Sequence, residues 1–178
     1  MKKKYYTWEN VEQAAHKIVL QMYNDNWRPD YIVGVTRGGL ALALVLSHML
    51  KCRMETLKVK LRDADPDESC ETNCWMSEDA FGYVSGEDYT TSSVFAKKNI
   101  LVVDDINDTG ATFNWIKNDW ESSCLPKNPN WNTVWGGNVR FAVMTENLSS
   151  EFGLVQYCWD EVDKSQDDVW LVYPWEHN

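Results

Sequence analysis

The segment ILVVDDINDTGATF, residues 100–113, constrains the fold of this 178-residue chain more than any other segment. Its first four apolar residues predict a buried strand. Asp104 and Asp105 follow at the strand's C-terminal end, where ligands bind in open α/β sheets. A turn rich in hydroxyl groups then opens a helix, and Gly110 lets the backbone approach a ligand closely. The helix dipole and free N–H groups there favour an anion, most naturally a phosphate.

The acidic residues in this segment exceed what a helix cap requires. One Asp or Thr is enough to cap a helix, whereas five such side chains cluster here. They are Asp104, Asp105, Asp108, Thr109 and Thr112. Carboxylates accept hydrogen bonds from vicinal hydroxyls and bind hard cations. The segment therefore predicts a site for a sugar phosphate with Mg²⁺.

A second loop, VGVTRGGL at residues 33–40, also joins an expected strand to an expected helix. Gly38 and Gly39 free the backbone, and Arg37 is well suited to a bidentate phosphate contact. Gly-Gly is also common in ordinary turns, so this loop indicates a phosphate site only in combination with the first loop.

Strand and helix patterns alternate along the chain. Thr7 is a candidate N-cap, followed by apolar residues at helical spacing. Strands are expected at residues 31–35, 54–61, 99–104, 139–145 and 154–159, with helices after the first and third. This order predicts an α/β fold with a mostly parallel sheet flanked by helices.

Composition narrows the classes of partner. The formal net charge is −10, which argues against non-specific nucleic-acid binding. No apolar run reaches the ~20 residues of a membrane span. The N-terminus lacks an apolar signal region, so we expect a cytoplasmic protein whose five cysteines are reduced thiols.

Residues 62–98 form an acidic stretch with glycines and a TTSS run. A long loop in a compact domain is usually functional or disordered. We expect a mobile flap here, part of which forms a hairpin at residues 81–89.

Together with the opening YTW and the tail DVWLVYPWE, these two loops resemble the type I phosphoribosyltransferase family, and are most similar to its bacterial xanthine–guanine branch. The resemblance implies a twisted, mostly parallel sheet in a single domain at residues 1–178. It also implies a flexible flap at residues 62–98 and a small C-terminal hood at residues 146–178. As the family is usually dimeric or tetrameric, it implies a homodimer or homotetramer.

The resemblance also implies an activity, which is Mg²⁺-dependent transfer of a phosphoribosyl group from phosphoribosyl pyrophosphate to a purine base. Asp104 and Asp105 would hold the ribose hydroxyls, in part through Mg²⁺, and Asp108 would assist proton handling at the base. The implied substrate contacts are Arg37, Gly38 and Gly39 for pyrophosphate, Thr109, Gly110, Ala111 and Thr112 for the 5′-phosphate, and Trp170 and Leu171 for the base. The family also often has a cis peptide bond here, expected at Arg37–Gly38.

The chain departs from the family pattern at Asn147, where the family places a lysine that contacts the 6-oxo group of the purine. Two alternatives follow from the sequence. One is a phosphoribosyltransferase for a different base, and the other is a non-catalytic sensor that binds the same donor. Trp170 also has an alternative interpretation as an ordinary core residue.

Overall fold

Five parallel strands form the central sheet of the computed structural model, which describes residues 2–61, 70–82, 97–122 and 128–176. Their order across the sheet is β3-β2-β4-β5-β6. These strands are β2 (Tyr31–Thr36), β3 (Arg53–Lys58), β4 (Ile100–Asn107), β5 (Val139–Asn147) and β6 (Val155–Val162). Two further strands, β1 (Lys2–Tyr5) and β7 (Val169–Val172), pair in parallel as a separate sheet. The predicted α/β fold with a parallel sheet is confirmed.

In the described ranges, four α-helices cover the two faces of the sheet. They are α1 (Trp8–Asn24), α2 (Leu40–Leu50), α3 (Cys74–Phe81) and α4 (Ala111–Ser122). Alternate residues of the strands enter two separate apolar clusters, one packed against α1 and α2 and the other against α3 and α4. This alternation is the expected consequence of side chains that point to opposite faces of each strand.

Helix α1 begins as its sequence predicts. Thr7 Oγ1 accepts a hydrogen bond from the Asn10 backbone N–H at 3.2 Å, and Asn10 Oδ1 accepts one from the Thr7 N–H at 2.9 Å. This reciprocal cap satisfies two N–H groups that the helix itself leaves unpaired. The residues at helical spacing then face the core, with Val11, Ala14 and Ile18 fully buried.

The expected flap differs from the structure over residues 74–81, which form α3. Met76, Ser77 and Ala80 are buried, and the Ser77 hydroxyl donates to the Trp120 carbonyl of α4 at 2.7 Å. This segment therefore belongs to the core, because one helical face carries enough apolar surface to pack on α4. Most of the hairpin expected at residues 81–89 lies outside the described residues.

Two local expectations are corrected. The non-proline cis peptide bond is Thr36–Arg37, one residue before the predicted Arg37–Gly38 bond. Cys52, Cys70 and Cys158 are free thiols, whereas Cys74 is disulfide-bonded, so the expectation of reduced thiols is wrong for Cys74. In the described part of the chain, no helix combines the length and the apolar character that a membrane crossing requires.

Candidate active site

The two loops singled out from the sequence lie side by side. Strands β2 and β4 are neighbours and parallel, so the loops that follow them leave the same edge of the sheet. Arg37 and Gly38 from the first loop and Asp105 from the second line one cavity of about 690 Å³. A methyl group on Gly38 would overlap the Asp105 carboxylate, so any larger residue here would displace that side chain. Gly39 is the N-cap residue of α2, and a Cβ there would overlap the Val103 carbonyl oxygen, so this backbone contact requires glycine.

Asp104 and Asp105 form a buried acidic pair at the end of β4. The Oδ1 atom of Asp104 accepts the Asp105 N–H at 2.9 Å, and the Oδ1 atom of Asp105 accepts the Ile106 N–H at 2.8 Å. Burial, together with the charge of its neighbour, raises the pKa of Asp104 well above its usual value. Burial also raises the pKa of Asp105, and repulsion from Glu176 adds to the rise. Such a pair favours a bound cation, because a cation relieves the desolvation and repulsion that raise these pKa values.

The donor set fits magnesium held jointly with a substrate. Among the residues that the structure describes, no group of three or more His, Cys, Asp or Glu side chains is arranged to hold a metal by itself. Mg²⁺ is commonly bound by one or two carboxylates plus substrate oxygens and water. Asp104 and Asp105 would supply the two carboxylates of such a site.

The loop after β4 lines a second cavity of about 420 Å³. Its wall consists of residues 104–113 together with Val59, Lys60 and Leu61. Helix α4 begins at Ala111, so the N–H groups of its first turn have no partner within the helix. Gly110 has a φ of 89° and a Cβ there would lie 2.6 Å from the Phe152 backbone nitrogen, so both conformation and space require glycine. Asp105 lines this cavity and the first one.

Asp108 is held from two sides at the far end of this loop. Its Oδ1 atom lies 3.0 Å from the Lys164 ammonium. Its backbone carbonyl accepts a hydrogen bond from Asn147 Nδ2 at 2.9 Å. A third cavity of about 320 Å³ is lined by Asp108, Thr109 and Asn147 among others. The structure therefore brings the three predicted catalytic carboxylates along one continuous wall.

The tail after β7 reaches the first cavity through residues to which the sequence assigned no role in the site. Trp175 and Glu176 line it together with Arg37 and Asp105. The Tyr173 ring stacks on Trp175 with 5.1 Å between centroids. The Tyr173 hydroxyl lies 3.0 Å from Thr145 Oγ1 and 3.3 Å from the Asp105 carbonyl, to either of which it can donate.

A chain of buried hydroxyls connects this tail to the start of the protein. The Thr145 hydroxyl donates to the Tyr6 hydroxyl at 3.2 Å, and Tyr6 donates to Asp160 Oδ2 at 2.5 Å. Lys4 of β1 forms an ion pair with the same Asp160 carboxylate. Pairing of β1 with β7 therefore fixes the tail, and the hydroxyl chain holds it against the end of β4.

Trp170 and Leu171 lie on β7 and are not among the residues that line these three cavities. The Trp170 side chain is half exposed, whereas Leu171 is buried in the cluster under α1 and α2. This alternation follows from their positions on one strand. Their assignment as base contacts stays a prediction.

Glu146, near the end of β5, contacts Asn107, the residue that precedes Asp108. Its Oε1 atom accepts a hydrogen bond from Asn107 Nδ2 at 3.0 Å, and its buried Oε2 atom has no partner among the described residues. Burial raises the pKa of Glu146 to about 7, and Glu161 on β6 adds to the rise, against the Asn107 hydrogen bond that lowers it.

We expect a pH-dependent contribution of Glu146 to stability. Its folded pKa exceeds the usual value of 4.5, so folding takes up a proton between pH 4.5 and about 7. The free energy of unfolding therefore falls as the pH rises through this window. Glu146→Gln keeps the acceptor for Asn107 and removes the charge. Melting temperatures measured from pH 5 to 8 should decline less steeply in this variant. An unchanged slope would contradict the assignment.

Comparison with known proteins gives a consistent result. A family profile described as phosphoribosyl transferase domain matches residues 1–172. Xanthine phosphoribosyltransferase 1 of Saccharomyces cerevisiae is 22% identical over 192 residues, covering 97% of this chain and 88% of the yeast protein.

Solved structures show the same fold. The purine phosphoribosyltransferase of Pyrococcus horikoshii is 23% identical, with a TM-score of 0.64, over 100% of this chain and 96% of the other. The xanthine-guanine-hypoxanthine phosphoribosyltransferase of Helicobacter pylori is 18% identical, with a TM-score of 0.63, over 97% of this chain and 91% of the other. The sheet and helices described above are thus those of a type I phosphoribosyltransferase.

Proposed function

Because this chain belongs to the phosphoribosyl transferase family and is therefore a pentosyltransferase, we propose that it transfers a 5-phosphoribosyl group from phosphoribosyl pyrophosphate to a purine base. The proposed reaction depends on Mg²⁺, uses a base of the guanine, xanthine or hypoxanthine class, and releases pyrophosphate and a nucleoside monophosphate. The names of the yeast and Pyrococcus relatives support a purine acceptor.

The position of Asp105 between two cavities carries the proposal. One cavity holds Arg37 and Gly38, and the other is formed by the loop that opens α4. Phosphoribosyl pyrophosphate has an anionic group at each end and a diol between them. A pyrophosphate beside Arg37, a 5′-phosphate on the α4 loop and ribose hydroxyls at the acidic pair match this order.

Each residue of the site then has a separate role in the transfer reaction. The bond from C1 of ribose to pyrophosphate breaks, a bond from C1 to a base nitrogen forms, and the base loses a proton. Positive charge develops on the ribose, as in glycoside cleavage, and the Asp104 and Asp105 carboxylates stabilise it. Arg37 and the backbone of Gly38 and Gly39 bind the leaving pyrophosphate. When bound, Mg²⁺ neutralises part of the charge on the pyrophosphate.

Asp108 is the proposed acceptor of the proton from the base. It follows the acidic pair on the same loop and lines the cavity formed with Asn147. Trp170 is the proposed stacking residue for the purine, and the backbone of Leu171 is the proposed partner of its edge. These three assignments come from the resemblance to the family.

A panel of free bases tests the proposal. Pyrophosphate release is measured with phosphoribosyl pyrophosphate, Mg²⁺ and each of guanine, xanthine, hypoxanthine, adenine, uracil and orotate. We expect turnover with at least one 6-oxopurine and loss of turnover when EDTA removes the metal. Turnover with a pyrimidine alone would indicate a different acceptor. Donor binding without turnover on any base would favour the sensor alternative.

A further inference from the structure

An ion pair connects the Asp108 carboxylate to a lysine that is distant in sequence. Lys164 lies in the turn between β6 and β7, and its ammonium is 3.0 Å from Asp108 Oδ1. The two side chains are 25% and 29% exposed, so the pair is mostly shielded yet reachable by a ligand. The pair of Lys2 with Asp167, by contrast, is more than half exposed on both sides.

Asn147 fixes the position of this pair. Its Oδ1 atom accepts the Lys164 backbone N–H at 3.1 Å, while its Nδ2 atom donates to the Asp108 carbonyl at 2.9 Å. One amide therefore joins the Asp108 loop to the β6–β7 turn. The Ser149 hydroxyl also donates to Asn147 Oδ1, at 2.9 Å, which orients the amide. The ammonium is thus held against Asp108, which itself lines a cavity together with Thr109 and Asn147.

The pair sets a donor next to an acceptor. A lysine ammonium has three N–H donors and no acceptor, whereas an ionised carboxylate only accepts. Among the described residues, Asp108 Oδ1 is the side-chain partner of the ammonium, which leaves N–H groups for a ligand. A ring that carries an oxygen acceptor beside an N–H donor complements such a pair.

We propose that Lys164 is the specificity-determining residue for the acceptor base and donates a hydrogen bond to its exocyclic oxygen. The inference rests on the proposed function. An oxo group at that position accepts from the ammonium, while Asp108 faces the adjacent ring N–H. An amino group there would set donor against donor and leave the N–H that faces it without an acceptor.

The competing explanation is that Lys164 only positions Asp108. A purely positioning role would change the reaction with every base to the same extent. A direct contact with the oxygen would change the reaction with oxo bases selectively. The ratio of kcat/KM for a 6-oxo base to that for a 6-amino base therefore separates the two explanations.

Three variants make the test. Lys164→Met removes the donor and keeps most of the length of the side chain, and Lys164→Arg keeps the charge. Lys2→Met breaks an exposed lysine–aspartate pair as a matched control. Each is assayed with hypoxanthine and adenine, and the dissociation constants of IMP, AMP and phosphoribosyl pyrophosphate are measured by calorimetry. Thermal melting confirms that each variant is folded.

We expect Lys164→Met to lower the hypoxanthine-to-adenine ratio of kcat/KM about tenfold to a hundredfold, the range for a hydrogen bond to a charged group. The IMP-to-AMP affinity ratio should fall in parallel, with donor affinity within about twofold of the parent. Lys164→Arg should retain most of the preference, and Lys2→Met all of it.

Other outcomes overturn one claim or both. If Lys164→Met slows both bases equally and leaves the IMP-to-AMP affinity ratio unchanged, the specificity assignment is wrong while the proposed function stands. If the parent protein turns over no purine but prefers IMP to AMP through Lys164, the assignment holds for binding and the proposed function fails. If the parent binds neither nucleotide, both fail.

Discussion

Replacing Asp104 and Asp105 together by Asn should weaken binding of phosphoribosyl pyrophosphate in the presence of Mg²⁺ by about a hundredfold or more. The two carboxylates are the protein's candidate ligands for the cation and the acceptors for the ribose diol. Asn keeps the Oδ1 acceptors for the Asp105 and Ile106 N–H groups, so the local backbone should remain intact. The loss would therefore report the charges rather than a change of fold.

The same double variant should be more stable than the parent without ligand. Burial raises the pKa of both carboxyls, so keeping them ionised costs stability at neutral pH. Their folded pKa values exceed the usual 3.8, so folding takes up protons above that pH and stability falls as the pH rises towards the folded values. Removing the charges should raise the melting temperature at pH 8 by about 2–6 °C, the size of a gain of about 1–2 kcal/mol in a domain of this length.

Calorimetric titration with phosphoribosyl pyrophosphate and Mg²⁺ measures the affinity for the donor. Melting curves at pH 6 and 8 measure the stability. Asp167→Asn is the matched control, because it removes an exposed aspartate that pairs with Lys2. Donor affinity within a factor of three of the parent would refute the assignment of the acidic pair. A lower melting temperature would show that the two charges stabilise the fold.

The two loops of the candidate site, residues 33–40 and 100–113, could be predicted from sequence because the residues that identify each loop are close together in the chain. An apolar strand, an acidic pair and a glycine turn fall within fourteen consecutive residues, 100–113, and the parallel sheet brings the second loop beside them. The net charge of −10 gives no indication of the proposed anion site, which Arg37 and a few loop N–H groups would form inside an acidic chain. The net charge of a chain reflects its whole surface, whereas anion binding at a site depends on the few groups that contact the anion.

The residues that the sequence did not reveal act through tertiary contacts. Lys164 lies in a polar turn whose sequence resembles any solvated loop. It is 56 residues from Asp108 in the sequence, and only the fold brings the two side chains into contact. Tyr173 lies in an apolar tail, and its contact with Thr145 becomes visible only when β7 pairs with β1. Helix α3 is short, and the acidic residues around it concealed its apolar face.

The aromatic content of the chain has a largely structural explanation. Trp120, Trp131 and Trp135 pack together in the cluster between α4 and the sheet, with Trp131 and Trp135 stacked at 5.4 Å. Trp175 is the tryptophan that the structure places on the Arg37 cavity. Its stacked partner Tyr173 reaches Asp105, so this aromatic pair couples the tail to the acidic pair.

Asp108→Asn should lower kcat about a hundredfold, or about 2.7 kcal/mol, while KM for the donor changes by less than about threefold. An amide cannot take up the proton that the base loses, so the chemical step loses its acceptor. The proposed contacts of the loop N–H groups with the 5′-phosphate do not involve this carboxylate, and the Asp108 carbonyl still accepts from Asn147. Single-turnover rates with guanine or hypoxanthine isolate the chemical step from product release.

Asp167→Asn again serves as the control for a general loss of negative charge, since its aspartate is exposed and lies outside the cavities described. The split between kcat and KM is the decisive readout. A parallel loss of donor affinity would place Asp108 among the phosphate-binding groups, whereas unchanged single-turnover rates would remove it from the chemistry. Combining Asp108→Asn with Lys164→Met sharpens the result, because groups that act on one base as a unit lose less together than the sum of their separate effects.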